Sequence, residues 1–275
     1  MSTTTGDSSI AEKAAASRPM GWLARVGLGA RAAVYLIMGL LAIAVVVGDS
    51  KTSVDQRGAL RTVMHQQFGT ALVWLLAAGF IAYALWRFSE VVFGPDGEKD
   101  GFVPRAKSFV RAVAYSIFAF GAISILLGSR ESQSHQQESV ADTTIHLPGG
   151  QVILGAFGVA FVVAGALMVV EGWTTKFLTY FDYLPAGRRK VVVLLGRTGT
   201  IARGIVFAAA GALVVAGAWW GDPSTAGGIN EVVQTAIDRP FGGAVVVLMG
   251  AGLILFGLYG VTEMLWRHVP DGERA

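Results

Sequence analysis

The chain contains no cysteine. Disulfides, thiolate metal sites and cysteine nucleophiles are therefore excluded. Charge is also scarce: 15% of the 275 residues are Asp, Glu, Lys or Arg, where globular domains carry about 25%. The four histidines, His65, His135, His146 and His268, include no pair at the helical i, i+4 spacing that favours shared metal ligation. No serine or aspartate falls in a recognisable nucleophile motif. Gly27-Leu-Gly29 lacks the preceding strand and the lysine of a phosphate loop. These absences argue against an enzyme, a cofactor and a metal centre.

What is present is apolar: 53% of residues are hydrophobic. Six runs stand out, at about Ala32–Val47, Phe68–Val92, Phe109–Leu127, Val152–Val170, Ala202–Trp220 and Phe241–Trp266. Most approach or exceed the roughly 20 residues that cross a bilayer as a helix. They are rich in Ala, Leu and Gly without strand-like alternation, and a helix satisfies its own backbone groups in lipid. Their centres hold no Asp, Glu, His, Lys or Arg and no proline. Coupled transport usually needs such groups or an unwound helix. Thirty-six glycines instead suit close helix approach in lipid.

A unit of two such runs recurs three times. Each copy carries an arginine early in its first run and a glutamate late in its second: Arg31 and Glu90, Arg111 and Glu171, Arg203 and Glu263. The separations are 59, 60 and 60 residues, a periodicity that marks a repeat architecture. Between copies one and three, Gly27, Ala30 and Arg31 match Gly199, Ala202 and Arg203. Tyr35 matches Phe207, Gly39 matches Gly211, Gly79 matches Gly252 and Tyr83 matches Phe256. The middle copy is more diverged, keeping Arg111, Tyr115, Gly149-Gly150 and Glu171.

Seventeen of the 22 Lys and Arg residues lie in the tails and in the connections between runs two and three and between runs four and five. The other three connections hold five. The positive-inside rule then puts both termini in the cytosol of a multi-pass plasma-membrane protein. The expected organisation is a disordered tail at 1–19, hairpin repeats at 20–95, 104–176 and 190–268, and a tail at 269–275. The fold class is an all-α membrane protein of six transmembrane helices, arranged as three tandem hairpins about a pseudo-threefold axis. Met1–Ser17 lacks the features of a cleaved signal peptide, so the first run is expected to remain as a span.

Two short amphipathic stretches precede second runs. Ala59, Leu60, Val63 and Met64 in copy one parallel Val232, Val233, Ala236 and Ile237 in copy three. Each is expected to lie on the outer membrane face with its apolar side down. The polar, glutamine-rich stretch at 129–148 of copy two is expected to be a flexible loop.

The threefold pattern, with its Ala-Arg segment at the first span and Gly-Ala-Leu-Arg … Phe-Gly at Gly58–Gly69, resembles the bacterial membrane family called domain of unknown function 1206, common in actinobacteria. The resemblance runs from about Trp22 to about Trp266. It implies a plasma-membrane location and three two-helix units, and it supplies no activity and no site residues.

The six repeat charges, Arg31, Arg111, Arg203, Glu90, Glu171 and Glu263, are the candidate site. They are expected near the inner membrane boundary, where charge costs less than at the bilayer centre. Their structural reading is a set of ion pairs clamping each hairpin, or neighbouring hairpins, with arginine ends also reaching lipid phosphates. Their functional reading is a vestibule for an ion or an anionic metabolite. The expected partners are the lipid bilayer, other membrane proteins or a further copy, and not nucleic acid. A non-enzymatic structural or partner-binding role is favoured over a channel or facilitator for a small solute along the repeat axis.

Overall fold

The computed structural model describes residues 18–48, 54–65, 69–94, 101–129, 133–181, 184 and 187–267. Of the tails expected at 1–19 and 269–275, residues 1–17 and 269–275 lie outside them, and residues 18 and 19 belong to the first helix. Among the described residues nine α-helices run in chain order. They are α1 (Arg18–Val46), α2 (Gln56–Met64), α3 (Gly69–Phe93), α4 (Phe102–Leu126), α5 (Gln133–Ile145), α6 (Gly150–Trp173), α7 (Arg189–Trp220), α8 (Gly228–Ile237) and α9 (Gly242–Trp266). Short 3₁₀ turns at Lys176–Tyr180 and Pro223–Ala226 join some of them. No strand occurs among the described residues.

Helices α1, α3, α4, α6, α7 and α9 are each long and apolar enough to cross a membrane. They contain 24 to 32 residues, and at about 1.5 Å per residue even the shortest exceeds a hydrocarbon core of about 30 Å. The chain is thus a multi-pass membrane protein of three two-span repeats.

The two spans of a repeat are not each other's main neighbours. The most extensive seams join the second span of one repeat to the first span of the next: α3 with α4, α6 with α7, and α9 with α1. Chain and seam together make a cyclic arrangement, since repeat three returns to repeat one. The seams are antiparallel and depend on glycine. A Cβ on Gly158 would lie 2.9 Å from the Gly211 carbonyl oxygen, and one on Gly250 would lie 2.7 Å from that of Gly39. These two contacts occupy matching positions in two successive seams. In lipid, where no hydrophobic drive joins helices, such backbone approach supplies the packing.

Within repeats, α1 meets α3 and α7 meets α9. Here too the contacting positions match: Gly27 lies under the Tyr83 side chain, Gly199 lies against the Phe256 backbone, and Gly79 faces Ala30 as Gly252 faces Ala202. The corresponding pair of repeat two, α4 and α6, makes no comparable contact. The sequence gives the reason. Lys107 stands where the close-approach glycines Gly27 and Gly199 stand, Val110 replaces Ala30 and Ala202, and Ala164 replaces the ring of Tyr83 and Phe256. A lysine cannot enter the space a glycine leaves, so the second hairpin is open.

The short helices close the end of the bundle away from the chain termini. Asp55 caps α2 by accepting from the Gly58 amide at 2.7 Å, and its other oxygen accepts from Ser134 of α5 at 3.3 Å. The Val54 amide donates to the Asn230 side chain of α8 at 3.0 Å. The apolar sides of α2 and α8 pack on protein: Ala59, Leu60 and Val233 are fully buried. The stretch at 129–148, expected to be a loop, instead contains α5. The turn that follows each short helix explains the threefold recurrence. A Cβ on Gly69, Gly150 or Gly242 would lie closer than any Cβ contact allows to a carbonyl oxygen six residues back, of Val63, Thr144 and Ala236, so only glycine fits.

Candidate functional site

At the end of the bundle that carries the termini, the spans bring together arginines, tyrosines and glutamates. Arg31 of α1 forms an ion pair with Glu263 of α9. Arg267, four residues beyond Glu263 and just past the end of α9, donates to its other oxygen at 2.7 Å. Glu263 is 2% exposed, so both cations are needed to hold its charge out of water. The partner of Arg31 therefore belongs to the neighbouring repeat. Glu90, the partner expected within its own copy, is otherwise engaged.

Glu90 of α3 accepts from Arg87 and from Ser108 of α4, each at 2.6 Å. Arg87 also donates two hydrogen bonds to the Tyr83 hydroxyl, at 2.9 and 3.1 Å. Its guanidinium centre lies 4.2 Å from the Trp86 ring centre. The cyclic rule that gives Arg31 to Glu263 would give Arg111 to Glu90, but Arg87 and Ser108 have taken that place. Arg111 is exposed, and among the described residues it forms no ion pair.

The third pair also fails to form. Glu171 accepts from the Tyr180 hydroxyl. Burial, and then the neighbouring Glu171 carboxylate, push that hydroxyl above its ordinary range. Arg203 leans instead against three rings, with its guanidinium 4.8, 4.9 and 5.2 Å from the centres of Phe256, Phe207 and Tyr35. Such contacts contribute up to about 2 kcal/mol when desolvated. Its Nε, like that of Arg31 and the hydroxyl of Tyr259, is buried with no hydrogen-bond partner among the described residues.

The rings follow the cyclic rule even where the charges do not. Tyr35 meets Phe256 at 4.8 Å between ring centres, and Tyr115 meets Tyr83 at 4.2 Å. These are matching positions in the α9–α1 and α3–α4 seams. In the α6–α7 seam the ring facing Phe207 is supplied by Phe161, stacked at 5.9 Å, since Ala164 has none to offer.

Sequence reasoning found the six repeat charges and passed over Arg87, Ser108 and Arg267. Arg87 precedes Glu90 by three residues and Arg267 follows Glu263 by four, the helical neighbour spacings. That local signal was available. The hydroxyl of Ser108 had none. Among the described residues no group of three His, Cys, Asp or Glu side chains is placed to hold a metal.

The arrangement is that of a polytopic helical membrane protein whose charges sit at one end of its spans. The chain belongs to the family described as Domain of Unknown Function (DUF1206), whose model matches residues 26–94, 106–175 and 198–267. It is similar to the uncharacterized protein YxxB of Bacillus subtilis (strain 168), with 26% identity over 250 residues, covering 89% of this chain and 90% of the relative. No solved structure matches it.

Proposed function

We propose that the protein is a non-enzymatic structural or partner-binding component of the plasma membrane, with both termini in the cytosol. The observation that carries this reading is the use made of its polar groups at span depth. Arg31, Arg87, Glu90, Ser108, Glu263 and Arg267 bond to one another across or beside the seams. Tyr35, Tyr83, Tyr115, Arg203 and Phe256 meet between the repeats, and the far end is covered by α2, α5 and α8. A solute path would need polar groups turned toward it, and here they are turned toward each other.

Purified protein in liposomes should leave the flux of ions and small polar solutes at the level of empty liposomes. A flux that disappears on Glu90→Gln or Glu263→Gln would replace this reading with a channel or facilitator. Orientation rests on the seventeen-to-five split of basic residues. Single cysteines introduced at the exposed positions Ser139 and Ser224 should react with an impermeant thiol reagent in intact cells. Cysteines at the exposed positions Thr174 and Thr179 should react only after lysis. The reverse pattern would invert the topology.

A further inference from the structure

We propose that the opening between α4 and α6 is a binding site for an anionic phospholipid, drawn from the leaflet that faces the chain termini. In repeats one and three the corresponding opening is filled. The Tyr83 side chain covers Gly27, and the Phe256 backbone packs directly on Gly199; both residues are buried. In repeat two the equivalent surfaces are bare. Val110 is 65% exposed and Leu167, which takes the place of the buried Tyr259, is 63% exposed. Only 33% of α4 and 17% of α6 is buried, against 39–50% of the other four spans. The opening is thus a slot with apolar walls, of the kind an acyl chain occupies.

The charged end of the slot decides the occupant. Lys107 and Arg111 lie one turn apart on α4 and are both exposed. Lys107 occupies the position from which Gly27 and Gly199 face the second span of their own repeat, so it stands at the mouth of the opening. Among the described residues neither cation has a carboxylate partner. Arg87 and Ser108 hold Glu90, Arg31 and Arg267 hold Glu263, and Tyr180 bonds Glu171. Two cations without a carboxylate partner among the described residues, at the membrane boundary above an apolar slot, match one amphiphile, a phosphate head with acyl tails. A partner helix would fill the walls but leave Lys107 and Arg111 unpaired unless it brought acidic residues to that depth.

The test uses the full-length protein in nanodiscs containing phosphatidylglycerol and phosphatidylcholine, transferred to detergent, with retained lipid counted by native mass spectrometry. The wild type should keep phosphatidylglycerol in preference to phosphatidylcholine. Lys107→Gln with Arg111→Gln should weaken retention about 25-fold, taking roughly fivefold for each cation near an anionic surface. A second variant, Lys107→Gly with Val110→Ala and Ala164→Tyr, rebuilds the filled seam of repeat one and should exclude the lipid while remaining monodisperse. Gel filtration reports on both variants, and Arg189→Gln with Lys190→Gln, elsewhere on the same membrane face, should leave retention unchanged. Four results would overturn the proposal. They are equal retention of the two lipids, retention unaltered in the rebuilt variant, displacement by soluble glycerol phosphate as effective as by phosphatidylglycerol, and a cysteine at Val110 that cross-links to a second protein or a second copy.

Discussion

Replacement of Glu263 by alanine isolates the best-defined charge contact in the molecule. The carboxylate is 2% exposed and serves two arginines. Its loss strands both cations together, and breaking a buried pair by removing one partner costs about 3–5 kcal/mol. The side chains of Arg31 and Arg267 are 13% and 11% exposed and lie near the bundle end, so each can extend partway toward water and bring the cost to the lower part of that range. Arg31→Ala leaves Glu263 with Arg267 and forfeits one charge-assisted bond, about 1.5–3 kcal/mol. In the double variant only Arg267 is left facing a missing partner. Its cost should fall short of the sum of the singles by about 1–3 kcal/mol. Unfolding in mixed micelles, followed by tryptophan fluorescence, gives all four corners of the cycle. The parallel cycle of Arg31 with Glu90, the pair expected within one copy, should be additive within about 0.5 kcal/mol. Additivity of Arg31 with Glu263, or coupling of Arg31 with Glu90, would refute the assignment of the ion pair to the boundary between repeats.

Gly165→Leu should weaken the α6–α7 seam, because even its Cβ would lie 2.5 Å from the Ala208 amide nitrogen and the Gly204 carbonyl oxygen. Overpacking of this kind costs about 1–3 kcal/mol or more, whereas Gly155→Leu on the same helix, whose Cβ meets only Ala218 at 3.7 Å, should cost far less in the same unfolding assay. At the opposite end, burial, and then the neighbouring Glu138, Asp222 and Asp238, raise the Glu231 carboxyl above its usual value of 4.5 while its bond from Thr235 opposes them. A raised carboxyl contributes its full stability below the usual value and loses it as pH rises through the folded one. Glu231→Gln should therefore raise the thermal midpoint at pH 7 relative to wild type and show no gain at pH 4; a gain that grows toward pH 4 would reverse the sign. Finally, a chain ending at residue 226 lacks the span that covers Gly39 and Ala32 and should be degraded in cells, with co-expression of residues 228–275 restoring it. Stable accumulation of the shortened chain alone would show that α9 is dispensable for the fold.

The number of spans was legible because 20-residue apolar runs admit one backbone solution in lipid, but their starts were not: helices begin at Arg18, Phe102 and Arg189, ahead of the expected Ala32, Phe109 and Ala202. The repeat was legible because Arg and Glu are rare within the apolar runs, so their recurrence at 59 and 60 residues stood out. Which helices pair was not legible from the same pattern. Spacing along the chain makes Arg31 and Glu90 look like partners, and only the fold shows that α1 turns that face to α9. The open second hairpin was readable in retrospect: Gly27-x-x-Ala30 and Gly199-x-x-Ala202 both reach Arg at the next position, and the middle copy writes Lys107-x-x-Val110 before Arg111. Helix α5 was missed because its glutamine-rich surface hides the signal that the amphipathic α2 and α8 display. Gly149-Gly150, at the corner shared with Gly69 and Gly242, carried it instead.

The divergence of the middle copy and the closure of the ring have one physical root. With three like units, each seam between neighbours uses a second span and a first span, and the last seam must join the two ends of the chain. That closure is the α9–α1 contact, and it carries the tightest charge cluster, Arg31, Glu263 and Arg267. Helix α1 is synthesised first and meets this partner only when the last span is in place, so its charge must wait longest for compensation. A strong ion pair is most useful at that late contact, because it rewards completion of the ring. Repeat two lies opposite the closure, with both of its spans already held by outer neighbours, α4 by α3 and α6 by α7. Its own α4–α6 contact is the one interface the ring can do without. Lys107, Val110 and Ala164 could therefore replace glycine, alanine and an aromatic residue there without loss of the fold, and Glu90 is held by Arg87 in place of Arg111.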